Sequence, residues 1–245
     1  MKKLLLALLA AGLLTVSAGA TTAGTKPRFT PVFTPLPSSP LVLCGPGCGG
    51  GGDGVDCNNN YDPSQGVYRN YTGYYKETIP AVNGSISANI DMVSAHITST
   101  GDAVVAWTGV DGSGGWIQGG LDATPSGLLR YVEWNNGTEH FSSVGSASYG
   151  TAYSVVVTRT ASGTWQASVG GSTPISTSSI GTPVETQTHT ESLDEVPGTS
   201  CNGLDAIFKS MSPARNTMTN DTEAPDYIEN LGAATFEGVQ LQYGS

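Results

Sequence analysis

The stretch that decides the fold is Trp107-Thr-Gly-Val-Asp-Gly-Ser-Gly-Gly-Trp-Ile-Gln-Gly-Gly-Leu-Asp122, followed after a short interval by Tyr131-Val-Glu-Trp134. Apolar and polar residues alternate within each piece, and Gly, Ser and Asp separate the pieces, which is typical of short antiparallel strands joined by tight turns. An amide (Gln118), carboxylates and tryptophans then fall on three neighbouring strands. One face of such a sheet can bind or cut a polymer, so this segment holds the candidate functional residues.

The same alternation recurs through the rest of the chain and predicts an all-β fold. Each run is short, contains β-branched or aromatic residues and ends in turn residues, and Ala161-Ser-Gly163 is a hairpin turn between two of the runs. We therefore predict one antiparallel two-sheet β-sandwich (concanavalin- or jelly-roll-like) over residues 62–245, with a short helical turn at 206–211. The predicted strands are 85–97, 103–110, 116–122, 128–134, 153–160, 164–169 and 239–242.

The first 20 residues have the composition of an export signal. Lys2 and Lys3 precede an apolar run from Leu4 to Leu14, and Ala18-Gly-Ala20 is a small-residue cleavage site. The apolar run is too short to span a bilayer, so we predict cleavage near Ala20, secretion or periplasmic export, and no membrane anchor. Residues 21–61 are rich in Pro, Gly and Thr and are predicted to form a linker or a propeptide-like arm.

Charge excludes one large class of partners. Without the two signal lysines, 8 basic residues remain against 20 acidic ones, a net charge of −12. Such a surface repels nucleic acid and anionic membranes, and no basic patch offsets it. We therefore predict no nucleic-acid partner.

Four cysteines bear on the compartment and on metal binding. Cys44, Cys48, Cys57 and Cys201 in an exported chain favour two disulfides, with three pairings open. No His lies near the three clustered cysteines, and the chain's histidines show no ligand spacing. We predict neither a metal site nor a cofactor.

The central motif resembles that of the glutamic peptidases (eqolisins), which are exported acid endopeptidases with a two-sheet β-sandwich fold. That family has Trp-Val-Gly-Ile-Asp-Gly, then Ile-Leu-Gln-Thr-Gly-x-Asp, then Tyr-Glu-Trp-Tyr-Pro. Here the pieces are Trp107-x-Gly-x-Asp111-Gly, Gln118-x-Gly-x-Asp122 and Tyr-x-Glu133-Trp134, in the same order. The close match covers about 28 residues.

The resemblance implies a catalytic dyad of one Gln and one Glu. By motif position the Gln is Gln118, and Glu195, 77 residues further on, best matches the Glu through Glu191-x-x-x-Glu195. The carboxylate would move the proton of a water molecule, and the amide would donate to the oxyanion. The supporting or substrate-binding residues are predicted to be Trp107, Asp111, Glu133, Trp134 and Glu191. The substrate would be a polypeptide, and the protein a monomer.

Each of these residues also has a simpler structural interpretation. A Gln in a sheet is most often exposed to solvent, Asp111-Gly is an ordinary hairpin turn, and Glu133 can face solvent with Tyr131. The tryptophans, Trp134 among them, can belong to the core. The alternative function is therefore an inactive lectin-like or adhesion sandwich that binds glycan or peptide.

Overall fold

The computed structural model describes residues 60–62, 67–97, 103–161, 163–178, 180–194, 203–222 and 227–239. These residues form fifteen strands and one 3₁₀ turn, at Arg215–Thr217. The strands are β1 (Asn60–Asp62), β2 (Val67–Lys76), β3 (Ser85–His96), β4 (Ala103–Gly112), β5 (Gly115–Thr124), β6 (Gly127–Asn135), β7 (Glu139–Ser146), β8 (Ala152–Ala161), β9 (Thr164–Val169), β10 (Ile175–Ser178), β11 (Pro183–Asp194), β12 (Gly203–Ser212), β13 (Thr219–Asn220), β14 (Tyr227–Gly232) and β15 (Thr235–Val239).

The strands form two antiparallel sheets that pack face to face. The first sheet has the order β1-β2-β11-β4-β5-β6-β7, with β13 attached to β2, and the second has the order β10-β9-β8-β3-β12-β15-β14. The predicted fold class, an antiparallel two-sheet β-sandwich, is confirmed. The chain crosses repeatedly between the sheets, so strands far apart in sequence, such as β4 and β11, become neighbours.

The core lies between the sheets and is built by the alternation that identified the strands. In β9 every second residue is buried, and Trp165, Ala167 and Val169 face the first sheet. Ile117 and Leu121 of β5 meet them from the other side and are fully buried. Because side chains alternate along a strand, the residues between them point away from the core.

Several elements differ from the sequence prediction. The helical turn expected at 206–211 is wrong, because this segment belongs to β12, where Ala206 and Phe208 face the core two residues apart. The strands β1, β2, β7, β10, β11, β13 and β14 were not predicted, and β15, the last described strand, ends at Val239, where the predicted one begins. The predicted strands from 85 to 169 agree with β3 to β6, β8 and β9 within a few residues, and the β8–β9 hairpin closes through Ala161 and Thr164.

Several sequence predictions fall outside the described residues. These are the signal segment, almost all of the 21–61 arm and the four cysteines, so export and disulfide pairing stay predictions. The strand β1 (Asn60–Asp62) crosses the predicted start of the domain. In the described part of the chain, no helix has the length and apolar character needed to cross a membrane.

Candidate active site

The outer face of the first sheet, the face turned away from the second sheet, carries the residues singled out by the sequence. In β5, Ile117 and Leu121 face the core, so Trp116, Gln118 and Asp122 lie on the outer face. Nevertheless, nearly every residue of β5 is buried, on both faces. The polar side chains on the outer face of β5 are therefore buried although they lie outside the core between the sheets.

Strand register sets which residues share the row of Gln118. Gln118 pairs with Glu133 of β6 on one side and Gly109 of β4 on the other, and Gly109 pairs with Gln187 of β11. From β7 to β2 this row reads Phe141, Glu133, Gln118, Gly109, Gln187 and Tyr75.

The amide of Gln118 is held by its neighbours on β6. Its Nε2 donates to Glu133 Oε2 at 2.7 Å and to Tyr131 Oη at 3.2 Å. The side chain is only 3% exposed, and its Oε1 is buried without a hydrogen-bond partner. Both amide protons are therefore engaged, while the acceptor atom is left unsatisfied, which is costly for a buried polar atom.

A second amide lies across Gly109 from Gln118. The Nε2 of Gln187 donates to Asp111 Oδ2 at 2.7 Å and also to Glu185 Oε1. Two strand spacings separate Gln118 from Gln187, roughly 10 Å. Because Gly109 has no side chain, the row carries no side chain between the two amide–carboxylate clusters, and we call this position the gap over Gly109.

Gly109 cannot be replaced without disturbing Gln118. A Cβ at this position would lie 2.8 Å from the Cβ of Gln118 and 2.7 Å from the carbonyl oxygen of Ile117. Both distances are too short for carbon contacts. The close approach of Gln118 to the β4 backbone therefore requires a glycine at position 109.

Large rings occupy the next row. Trp107, Tyr131 and His189 are each at most 2% exposed, and Trp107 contacts His189 with ring centroids 5.1 Å apart. Gly120 lies between Trp107 and Tyr131 in this row. The glycine leaves room for the rings to cover the sheet.

Titratable groups lie in or beside this aromatic row at two points. His189 Nε2 lies 3.4 Å from Asp221 Oδ2, and Asp221 is half-buried. At the other side, burial raises the pKa of Asp122 from 3.8 to about 6. Asp122 therefore keeps its proton into weakly acidic conditions.

The structure brings four of the predicted residues together: Trp107, Asp111, Gln118 and Glu133. Gln118 is buried, so the alternative that it faces solvent is wrong, and Glu133 is half-buried against it. Trp107 is buried in the outer layer and not in the core between the sheets. These four residues line the gap over Gly109 or border it.

Trp134 does not join them. It alternates with Glu133 on β6, packs against the core and stacks on His140 with ring centroids 4.9 Å apart. The pleat of β6 turns Trp134 to the face opposite Gln118, and its role as a supporting or substrate-binding residue stays a prediction. The core interpretation applies to this residue.

The two glutamates predicted in the segment 191–195 lie at or beyond the end of the described part of β11. Glu191 pairs through its backbone with Val105 of β4, four residues along β11 from Gln187. Glu195 lies outside the described residues, and its assignment as the catalytic carboxyl stays a prediction. Asp194, the last described residue of β11, is roughly 23 Å along the strand from Gln187 at the usual rise per residue.

Sequence reasoning missed four residues of the site: Tyr131, Glu185, Gln187 and His189. Tyr131 carried a signal, because it lies two residues before Glu133 and so shares its face of a strand. The other three lie on β11, which reaches the site only through its pairing with β4. Among the described residues, no group of three His, Cys, Asp or Glu side chains is placed to hold a metal ion.

Comparisons with known proteins identify the fold. No family model matches the chain, and no curated protein matches its sequence. Three solved structures are similar over 71% of this chain and the whole of theirs. Two are scytalido-glutamic peptidase, with a transition state analog inhibitor (TM-score 0.53, 16% identity) and with a peptide-based transition state analog (TM-score 0.51, 16% identity). The third is SCP-B, an eqolisin-family peptidase in complex with the tripeptide Ala-Ile-His (TM-score 0.51, 15% identity).

Proposed function

We propose that this protein is an exported acid endopeptidase that uses the Gln118 amide and a carboxylate to add water to a peptide bond. The observation that carries the proposal is the buried amide of Gln118 beside the Gly109 gap, with carboxylates on both sides. The likeness of the fold to glutamic peptidases supports it, as does the motif that contains Trp107, Asp111 and Gln118.

The chemistry needs one group to move a proton and another to receive developing negative charge. A carboxylate beside the substrate takes a proton from water, and the water oxygen attacks the carbonyl carbon. An amide N–H then stabilises the oxyanion, and the carboxylic acid returns the proton to the leaving nitrogen. Gln118 suits the second role because an amide stays neutral at every pH at which the enzyme would work.

The gap over Gly109 is where we place the scissile carbonyl. It lies between the Gln118 amide and the Asp111–Glu185 pair, and Gln187 holds both members of that pair. A carboxylate of this pair is our candidate for the base among the described residues. Gln118 itself is 3% exposed, so substrate binding must part the side chains around it.

The experiment is hydrolysis of a denatured protein from pH 2 to 7 by the mature chain. We expect acid-limited turnover that falls by about 100-fold or more in Gln118→Ala, the loss typical of removing an oxyanion donor. Gln166→Ala is the matched control, because Gln166 lies on the second sheet, far from this face. Equal activity in Gln118→Ala and the control contradicts the role of Gln118.

The same assay identifies the base. Glu185→Gln and Asp111→Asn test the pair beside Gln187, and Glu195→Gln tests the assignment made from the sequence. Whichever substitution removes turnover without changing the near-ultraviolet circular dichroism spectrum identifies the proton-transferring group. If none of the three does, none of these carboxyl groups is the proton-transferring group.

One observation favours a second function, that of a binding sandwich without turnover. The residue directly across Gly109 from Gln118 is an amide, Gln187, and both amide groups have their donors engaged. Such a face can bind a glycan or an extended peptide, with Trp107 and Trp116 near the ligand. Saturable quenching of tryptophan fluorescence by an oligosaccharide or a peptide, without cleavage from pH 2 to 7, would establish this function.

A further inference from the structure

We propose that Glu133 is a positioning residue whose protonation rotates the Gln118 amide and so makes Gln118 an oxyanion donor only in acid. The inference rests on the proposed function for its consequence in catalysis. The rotation itself is a property of two side chains and can be observed without any activity.

The hydrogen bonds of Gln118 define one state of the amide. An ionised carboxylate only accepts hydrogen bonds, so an ionised Glu133 requires the NH₂ end of Gln118 to face it. The observed contact, Nε2 to Glu133 Oε2 at 2.7 Å, has this arrangement. The second amide proton goes to Tyr131 Oη at 3.2 Å.

This state cannot perform the role that the reaction asks of Gln118. Both N–H groups point at β6, and the group left over is Oε1, an acceptor that is buried and has no partner. An oxyanion is itself an acceptor, so Oε1 would repel it. The amide must turn about its last side-chain bond before Gln118 can donate to an oxyanion.

Protonation of Glu133 favours rotation of the Gln118 amide. A carboxylic acid has an O–H that donates, and Gln118 Oε1 is the nearby acceptor that lacks a partner. The Tyr131 hydroxyl can serve either state, because it accepts from an N–H and donates to a carbonyl oxygen. Rotation therefore satisfies the buried oxygen and frees Nε2 from Glu133.

Other titratable groups surround Glu133, and the test must separate them from it. On Glu133's own strand the other titratable group is Tyr131. The strands β4, β5, β7 and β11 contribute carboxyl groups to the same face, and β11 also contributes an imidazole. Among the described residues of this face these groups are Asp111, Asp122, Glu139, Glu185 and His189.

The first measurement is the pH profile of kcat/KM for wild type, Glu133→Gln and Glu139→Gln. Glu139 is the matched control, because it is an exposed glutamate on the same face of the neighbouring strand. We expect the wild-type rate to fall as Glu133 ionises and Glu133→Gln to lose this limb, so that activity extends upward by about one pH unit or more. Glu139→Gln should retain the wild-type profile, and an unchanged limb in Glu133→Gln overturns the proposal.

The second measurement observes the amide directly by NMR of the labelled full chain. Between pH 7 and pH 2 we expect the nuclear Overhauser contacts of the Gln118 NH₂ with the Tyr131 ring to be replaced by contacts with the Gly109 α protons. Glu133→Gln should show no pH-dependent exchange of contacts. Contacts that stay with Tyr131 throughout in the wild type overturn the rotation.

The two measurements fail separately. A wild-type chain that shows the rotation but cleaves no substrate contradicts the proposed function and leaves the rotation established. A chain that cleaves substrate in acid without rotation keeps the proposed function and contradicts the role of Glu133.

Discussion

The outer faces of the two sheets differ in how they treat polar residues. On the first sheet, β5 is buried on both sides, and its outer face holds Gln118 and Asp122 beside large aromatic rings. On the second sheet, β9 is buried only at every second position, as expected of a strand with one face in solvent. The polar groups of the first sheet are therefore buried because aromatic rings cover its outer face. The sandwich fold alone does not bury them.

The second sheet has one exception, an acidic cluster on its outer face. Asp205 and Asp91 are nearly buried on β12 and β3, and Lys209 Nζ lies 3.1 Å from Asp91 Oδ2. The pKa of Asp205 is raised from 3.8 to about 8 by burial, by its hydrogen bond with Glu237 and by the nearby charges of Glu237 and Asp91. Both outer faces thus hold carboxyl groups that resist ionisation.

The largest loss of stability is expected when Gly120, which lies beneath the aromatic rings of the first sheet, is replaced by a larger residue. In Gly120→Ala the new Cβ would lie 2.1 Å from the Ala106 carbonyl oxygen and 2.9 Å from Trp107 Cα, so the backbone must move. We expect the free energy of unfolding in urea to fall by more than about 3 kcal/mol.

The matched change is Gly119→Ala on the same strand, facing the core. Its two closest contacts would be methyl groups that can shift, Val169 Cγ2 at 3.0 Å and Val155 Cγ1 at 3.2 Å, and the Tyr131 carbonyl oxygen would lie at an ordinary contact distance of 3.6 Å. We expect a loss of about 1 kcal/mol. Equal losses in the two variants would show that the outer layer is no more constrained than the core.

The next effect concerns the acidic cluster of the second sheet. When the pKa of an aspartate is higher in the folded than in the unfolded chain, its contribution to stability is complete at a pH below the unfolded pKa. That contribution is lost as the pH rises through the folded pKa. For Asp205 the loss runs from about pH 4 to about pH 8. We expect Asp205→Asn to gain about 2 to 3 kcal/mol relative to wild type at pH 8, and almost nothing at pH 3. Urea unfolding at the two pH values checks this, and a gain of equal size at pH 3 would contradict the titration.

A smaller effect of the same sign is expected at Asp122 on the first sheet. Its pKa is raised to about 6 by burial, so its stabilising contribution is lost between about pH 4 and pH 6. Asp122→Asn should gain about 1 to 2 kcal/mol at pH 7 and little at pH 3. Thermal unfolding across this range measures it, and a gain larger than that of Asp205→Asn would reverse the order of the two faces.

The part of the fold that could be predicted is the part in which one face of a strand is apolar. The alternation of Ile86, Ala88 and Ile90, or of Trp165 and Ala167, gives β3 and β9 directly. The strand β11 escaped prediction because the residues described as buried on its core-facing side, Thr186 and Thr188, are threonines. Thr188 meets Thr108 of β4 at 2.9 Å between their hydroxyl oxygens, so a polar strand is buried through hydrogen bonds that no local pattern reveals.

The helical turn expected at 206–211 failed for a related reason. Ala206, Ile207 and Phe208 form a short apolar run, and such a run does not separate helix from strand by periodicity. Pairing with β3 and β15 on both sides decided in favour of the strand.

The candidate site divides in the same way. Gln118, Asp111 and Glu133 lie on successive hairpin strands, so spacing of a few residues is enough to place them side by side. Trp134 lies on the opposite face, because a motif gives proximity along the chain, whereas the pleat sends adjacent residues to opposite faces.

The sequence by itself determined the sandwich class and the part of the site that lies on β4, β5 and β6, because alternation and tight turns act over a few residues. Only the tertiary structure decided that Gln187 and His189 lie across the gap from Gln118, and that Gln118 is buried with one unsatisfied oxygen. The pairing of β4 with β11 joins residues more than 70 positions apart, and its register is fixed by which faces of both strands must be buried. No local pattern carries that information.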